Sequence, residues 1–152
     1  MSLQHLGLFL HIVAVVLWVG GMIFTHFCLR PAAQALPPAQ RLPLWVAVLS
    51  RFFPLVWGAI VLLLGTGLAK LLAVGFGAAP TAWHVMMLSG LIMMAVFASI
   101  WFGPWAALKR AVAVEDWAGG AVQMNRIRQR VSLNLLLGLL TIAIATLGLA
   151  WF

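Results

Sequence analysis

The side chains best equipped for chemistry in this sequence are four histidines, His5, His11, His26 and His84, and a methionine cluster, Met86, Met87, Met93 and Met94. Neutral imidazole ligates iron and copper well, and thioether combined with imidazole suits Cu(I). The only carboxylates, Glu115 and Asp116, are neighbours in one polar segment. Hard-metal sites and paired-carboxylate acid–base catalysis therefore lack their groups. No nucleophile–base pair and no glycine-rich phosphate loop is visible. The residue types point to a histidine-held metal.

Four apolar runs must position those histidines: residues 3–29, 52–74, 83–108 and 131–152. Each reaches the ~20 residues that span a ~30 Å hydrocarbon layer. With 65% hydrophobic and 7% charged residues, the chain has too little polar surface for a soluble domain. Lipid offers backbone groups no hydrogen-bond partner, so each run is expected to form a helix. The expected fold is all-α, an integral membrane four-helix bundle forming one domain over residues 1–152. The first run has no basic leader and is too long for a signal peptide, so it reads as a retained helix.

Charge placement orients the bundle. Arg30, Arg41 and Arg51 lie between runs one and two, and Lys109, Arg110, Arg126, Arg128 and Arg130 between runs three and four. Only Lys70 lies on the other side. The positive-inside rule then makes the Arg-rich side cytoplasmic and puts both termini outside. The net charge of +7 reports topology and attraction to anionic lipid. A soluble basic domain with aromatic stacking platforms is missing, which argues against a nucleic-acid partner. The expected location is a bacterial inner membrane, crossed several times, with the lipid bilayer as partner.

Helix faces set which histidines can cooperate. Gly7, His11, Ala14, Trp18, Gly21 and Thr25 form one seam in helix one, stepping by threes and fours. Asn134, Gly138, Thr141, Ala145 and Gly148 repeat the pattern in helix four, and Arg51, Leu55, Gly58, Leu62, Gly65 and Ala69 in helix two. Small residues let membrane helices approach closely, so all three seams are expected to face inward. At ~1.5 Å per residue His11 lies roughly 10–12 Å below the outer face, and His84 and His5 share its half. His26 is ~22 Å away at the other end and cannot join them. An imidazole at the depth of His11 is costly without a partner, whereas His5 and His26 read as ordinary interfacial side chains. A methionine run in a membrane helix is ordinarily apolar packing.

Two inward histidines on separate helices suit heme b first, because bundles carry porphyrin between helices lined by small residues. Copper is the alternative, with His5, His84 and Met86 or Met87 as ligands. Lys70 is the one outer-side cation in the helices that could meet a heme propionate. Among the connections, Pro31, Pro37, Pro38 and Pro43 suggest an irregular loop, followed by an interfacial lead-in over residues 44–50 and a bend at Pro54. Residues 75–80 read as a short turn, with Pro80 and Thr81 starting helix three, and the third connection as a helical hairpin. With tyrosine absent, Trp57, Trp83, Trp101, Trp105 and Trp151 are assigned to the interfaces. The lone Cys28 forms no disulfide or metal motif.

The helix-one pattern His11-x6-Trp18-x-Gly20-Gly21 resembles the copper-resistance protein D (CopD) family and the related HemJ-type protoporphyrinogen oxidases. Trp83-His84-Val-Met86, Arg51-Phe52 and Gly65-Thr66-Gly67 are similar to segments of the same group. The resemblance implies that His11 ligates heme b and that His84 lies in the group's second histidine segment. Depth makes His84 the expected second ligand with His5 as substitute, and Trp18, further along the seam, is expected to flank the porphyrin. The HemJ-type segment reads His-x-Lys, and Met86 stands at the lysine position, so porphyrinogen oxidation is not carried over. The expected function is a membrane heme b protein with a redox role. A quinone or a periplasmic redox protein is the expected electron partner, and a second copy of the chain, as a homo-oligomer, is a further candidate partner. A copper protein or a cofactor-free accessory membrane protein are the other readings.

The charge asymmetry generates a direct test of orientation. A cysteine at Gly119 is expected to resist impermeant maleimide in intact cells, and one at Ser2 to react; the opposite pattern reverses the topology.

Overall fold

The computed structural model describes residues 3–147 and forms them into four helices: α1 (Leu3–Gln34), α2 (Pro38–Val74), α3 (Thr81–Ala113) and α4 (Trp117–Thr146). Each is long and apolar enough to cross a membrane, and no strand occurs among the described residues. Turns at 35–37, 75–80 and 114–116 join them. Ser2, Gly148 and Trp151 lie outside the described residues.

The proline-rich segment is helix where an irregular loop was expected. Helix two starts at Pro38, not at residue 52, and Pro43 and Pro54 both lie inside it. Pro38 costs nothing at the first turn, where its N–H would have no acceptor. At Pro54, leaving the helix would strand peptide groups in lipid, against the one bond the proline removes. In α1 the chain passes Pro31 by widening into a π turn at Thr25–Leu29. In α3 a second π turn, Trp101–Trp105, contains Pro104. A π turn shifts the ladder by one residue, a common accommodation of proline. The Ser99 carbonyl, five residues before Pro104, instead accepts from Arg130 Nη1 of α4 at 2.7 Å. Gly103 lies beside that guanidinium; a Cβ there would stand 3.6 Å from Nη1, in ordinary contact.

Two turns match their expected chemistry. Gly75, at φ 88°, ends α2 in a conformation that favours glycine, and Thr81 opens α3 directly after Pro80. The third connection is the expected helical hairpin. The Asp116 side chain accepts from the Gly119 N–H at 2.9 Å and caps α4. A Cβ at Gly119 would collide with that carboxylate, so Val114, exposed in the turn, is the better labelling position.

Packing upholds two of the three seams. In α1, Ala14 and Trp18 are buried and Gly7, His11, Gly21 and Thr25 half-buried. Gly21 is required, because a Cβ would enter the Phe52 ring of α2. In α4, Asn134 and Gly138 are buried and Thr141 half-buried, while Ala145 is exposed. Gly138 faces Val19 of α1 and Met93 of α3, so three helices meet there. The α2 seam is wrong: Arg51, Leu55, Gly58, Leu62, Gly65 and Ala69 are all exposed. The inward face is Leu42, Trp45, Leu49, Phe53, Val56 and Ile60.

Polar side chains lock α3 to α4. Buried Asn134 donates through Nδ2 to the Met93 carbonyl at 3.0 Å, and Thr141 and Ser89 share a hydroxyl contact of 2.8 Å. Aromatic rings fill the centre of the Arg-rich half. Phe97 takes edge contacts from Trp18, Phe53 and Trp57, and Phe53 also packs on Trp101 and Trp105. Trp57, Trp101 and Trp105 thus belong to the core and not to an interfacial belt, because large rings were needed to fill the space between α1, α2 and α3. Toward the Lys70 end, Leu71 is the only buried residue in 3–13, 61–74, 81–92 and 139–147.

Phe97→Ala is expected to destabilise the bundle by about 3 kcal/mol, the low end for a core phenylalanine, since lipid removes the transfer-from-water part and leaves the cavity part. Phe102→Ala, on a lipid-facing residue 77% exposed, should be near neutral. Reversible unfolding in mixed micelles measures both.

Candidate functional site

His11 lies half-buried on the inner face of α1, within the half of the bundle that lacks a packed core. Its Nδ1 is 2.7 Å from the Thr66 hydroxyl of α2. Thr66 Oγ1 also lies 2.6 Å from the Leu62 carbonyl one turn back, and a carbonyl can only accept. The single hydroxyl proton is therefore directed to Leu62, and Thr66 accepts from His11 Nδ1–H. That fixes the neutral tautomer and leaves the lone pair on Nε2, the arrangement of a metal-binding histidine whose other nitrogen is held by a protein oxygen. Gly67 lies against the same ring; a Cβ there would sit 3.8 Å from Cε1.

Lys70 follows Thr66 by four residues and shares its face of α2. Its charge reaches the His11 ring, and its ammonium stands 5.6 Å from the centroid of the Trp83 ring of α3. His84, next along α3, is half-buried with its ring 6.4 Å from Phe76 of the preceding turn. The Lys70 end thus assembles groups from α1, α2 and α3. Met86 is half-buried and Met87 exposed on α3, and His5 is exposed on α1.

Of the expected site residues, His11 contacts Thr66 and Lys70 lies over the Trp83 ring, and among the described residues no hydrogen bond or ring contact joins the two pairs. No hydrogen bond or ring contact among the described residues joins His11 to His84. Trp18 is fully packed against Phe97 at 6.1 Å in the aromatic core. His26 lies at the opposite end, in the π turn of α1 against Phe27, as its distance along the helix required. Among the described residues no group of three or more His, Cys, Asp or Glu side chains could hold a metal ion. Thr66 escaped the reading of the residues. Its signal was present in the four-residue spacing to Lys70 inside an apolar helix.

A family model described as Copper resistance protein D matches residues 46–147. The chain belongs to the CopD family. The match runs from α2 to the end of α4 and takes in Thr66, Lys70, His84 and Met86, while His11 precedes it. No match was found among curated proteins or among solved structures. This CopD-family chain is accordingly a membrane protein of four apolar helices whose most chemically specific contact is the His11–Thr66 pair.

Nitrogen-15 NMR of histidine-labelled protein is expected to show His11 as the Nδ1–H tautomer. Thr66→Val should abolish that preference. A wild-type Nε2–H signal would reverse the donor assignment and occupy the nitrogen available for a metal.

Proposed function

We propose that this CopD-family protein binds heme b at the Lys70 end of the bundle, with His11 Nε2 as axial ligand, and serves a redox role in the membrane. The observation that carries the reading is the Thr66 hydrogen bond, which orients the imidazole and reserves its lone pair. Two further features support it. Few residues are buried around His11, so this end of the bundle is not closed by a packed core, and Lys70 stands one turn from Thr66 on the same helix, at the end where it could meet a propionate. Heme b, when bound, supplies one-electron chemistry. The chain's own part is to hold the imidazole in one tautomer, exclude water with apolar helix faces and balance a carboxylate with Lys70. His84 is the proposed second ligand. A quinone in the bilayer or a soluble redox protein is the proposed electron partner.

Copper is the second reading. It is favoured by the family's description and by His84 lying three residues from Met87 on α3, with Met86 half-buried between them.

Protein purified from heme-replete cells is expected to carry a Soret band and a b-type pyridine hemochrome. His11→Ala should abolish heme retention, and Thr66→Val should weaken it by about tenfold, the lower end for removing an outer partner of a ligand. His84→Ala should convert low-spin iron to high-spin, and His26→Ala should leave the spectrum unchanged. Colourless protein with stoichiometric copper would favour the second reading. An unchanged heme spectrum in His11→Ala would remove the first.

A further inference from the structure

The Arg-rich end contains a second unusual arrangement, separate from His11. Arg30 of α1, Arg41 of α2 and Arg128 of α4 are each half-buried. Arg128 feels the charge of both others. The Nε atoms of Arg41 and Arg128 are buried without a hydrogen-bond partner. Other arginines nearby are engaged: Arg130 bonds the Ser99 carbonyl and Arg126 the Gln123 side chain. Among the described residues no ion pair joins the trio to a carboxylate. Of the two acidic side chains, Asp116 caps α4 and Glu115 is exposed in the turn before it. Arg30 and Arg128 line one cavity and Arg41 carries a buried, unpartnered Nε at the same end, and desolvated charge is ordinarily paired.

Beside Arg30 and Arg128 lies a cavity of about 40 Å³. Its remaining wall is mainly apolar, with Trp45, Leu49 and Phe52 of α2 among its residues. Guanidinium forks match tetrahedral phosphate oxygens, and an apolar wall beside them suits hydrocarbon attached to the phosphate. We propose that Arg30, Arg41 and Arg128 form a phosphate-binding site at this end of the bundle, whose natural occupant is the headgroup of an acidic phospholipid. Inorganic phosphate shares the recognised chemistry and is the other source. The site stands independently of the heme assignment, since it uses different residues at the opposite end.

The test uses the full chain in a non-ionic, phosphate-free detergent. Unfolding temperature and native mass spectra are recorded with added phosphatidylglycerol, phosphatidylcholine or inorganic phosphate. Wild-type protein is expected to retain phosphatidylglycerol in preference to phosphatidylcholine and to unfold at a higher temperature with it. Arg128→Gln and Arg30→Gln should each weaken retention roughly tenfold, as loss of one charge-assisted contact predicts. Arg128→Lys should recover only part, because it restores charge without the fork. In the absence of any anion, Arg128→Gln should unfold at a higher temperature than wild type, since like-charge repulsion is relieved; a merely structural arginine would give the opposite sign. Stabilisation by inorganic phosphate alone, lost in Arg128→Gln, supports the site with the free anion as occupant. Equal retention of both lipids with no response to phosphate would overturn the proposal. So would a lipid or phosphate response that persists unchanged in both glutamine variants.

Discussion

Hydrocarbon cannot hydrogen-bond a peptide group, and most of this architecture follows from that one lack. Every carbonyl within the spans must find a donor inside the protein. Helix continues through Pro54 and Pro104, and also through Pro31 and Pro43 in the stretches that extend past the spans. The two π turns are the form this takes in α1 and α3. Where widening the turn at Pro104 frees the Ser99 carbonyl, α4 supplies a guanidinium from Arg130. The repair joins two helices, so a local defect in one becomes tertiary structure. Asn134 does the same at the Met93 carbonyl without any defect to mend.

The same lack of water governs His11. In solution an imidazole would exchange its proton between both nitrogens. Against α2 it meets one hydroxyl whose own proton is directed to Leu62, so a single tautomer is selected. The Thr66 hydroxyl thus links a backbone carbonyl in α2 to the availability of a lone pair on α1. Packing adds the second condition. Large aromatic rings close the Arg-rich half around Phe53 and Phe97, while small and polar side chains in the other half leave the helices less tightly joined. The tightest aromatic packing and the His11–Thr66 contact lie toward opposite ends of one bundle.

The four spans, the end turns and the inward placement of His11 were legible because length, hydropathy, turn residues and charge all report on lipid. The seam of α2 was not. Gly58 and Gly65 recur at the same spacing as Phe53, Val56 and Ile60, and in a helix apolar all round periodicity cannot choose between two stripes. Size decided it, since the rings of α3 required large partners, and that demand is visible only across helices. The long start of α2 was missed because Pro37, Pro38 and Pro43 were read as breaking the helix, whereas Pro38 starts it and Pro43 costs one bond inside it. The pairing of Thr66 with His11 and the trio of Arg30, Arg41 and Arg128 were missed because each joins residues far apart in the chain. The spacing of Thr66 to Lys70 marks a shared face of α2 but does not name the partner on α1.

The length of α2 has a mechanical consequence. Thirty-seven residues at ~1.5 Å each give a rod of about 55 Å, nearly twice the ~30 Å hydrocarbon layer. Roughly the surplus must stand at or beyond the membrane surface, and it does so as helix, joined to α1 by only three residues. The arginines at that end are mounted on stiff rods, and their spacing cannot relax as it would on a loop. A rigid ruler of positive charge fixes the depth at which the whole molecule rides among lipid headgroups, and a bilayer of different thickness must adapt to the protein.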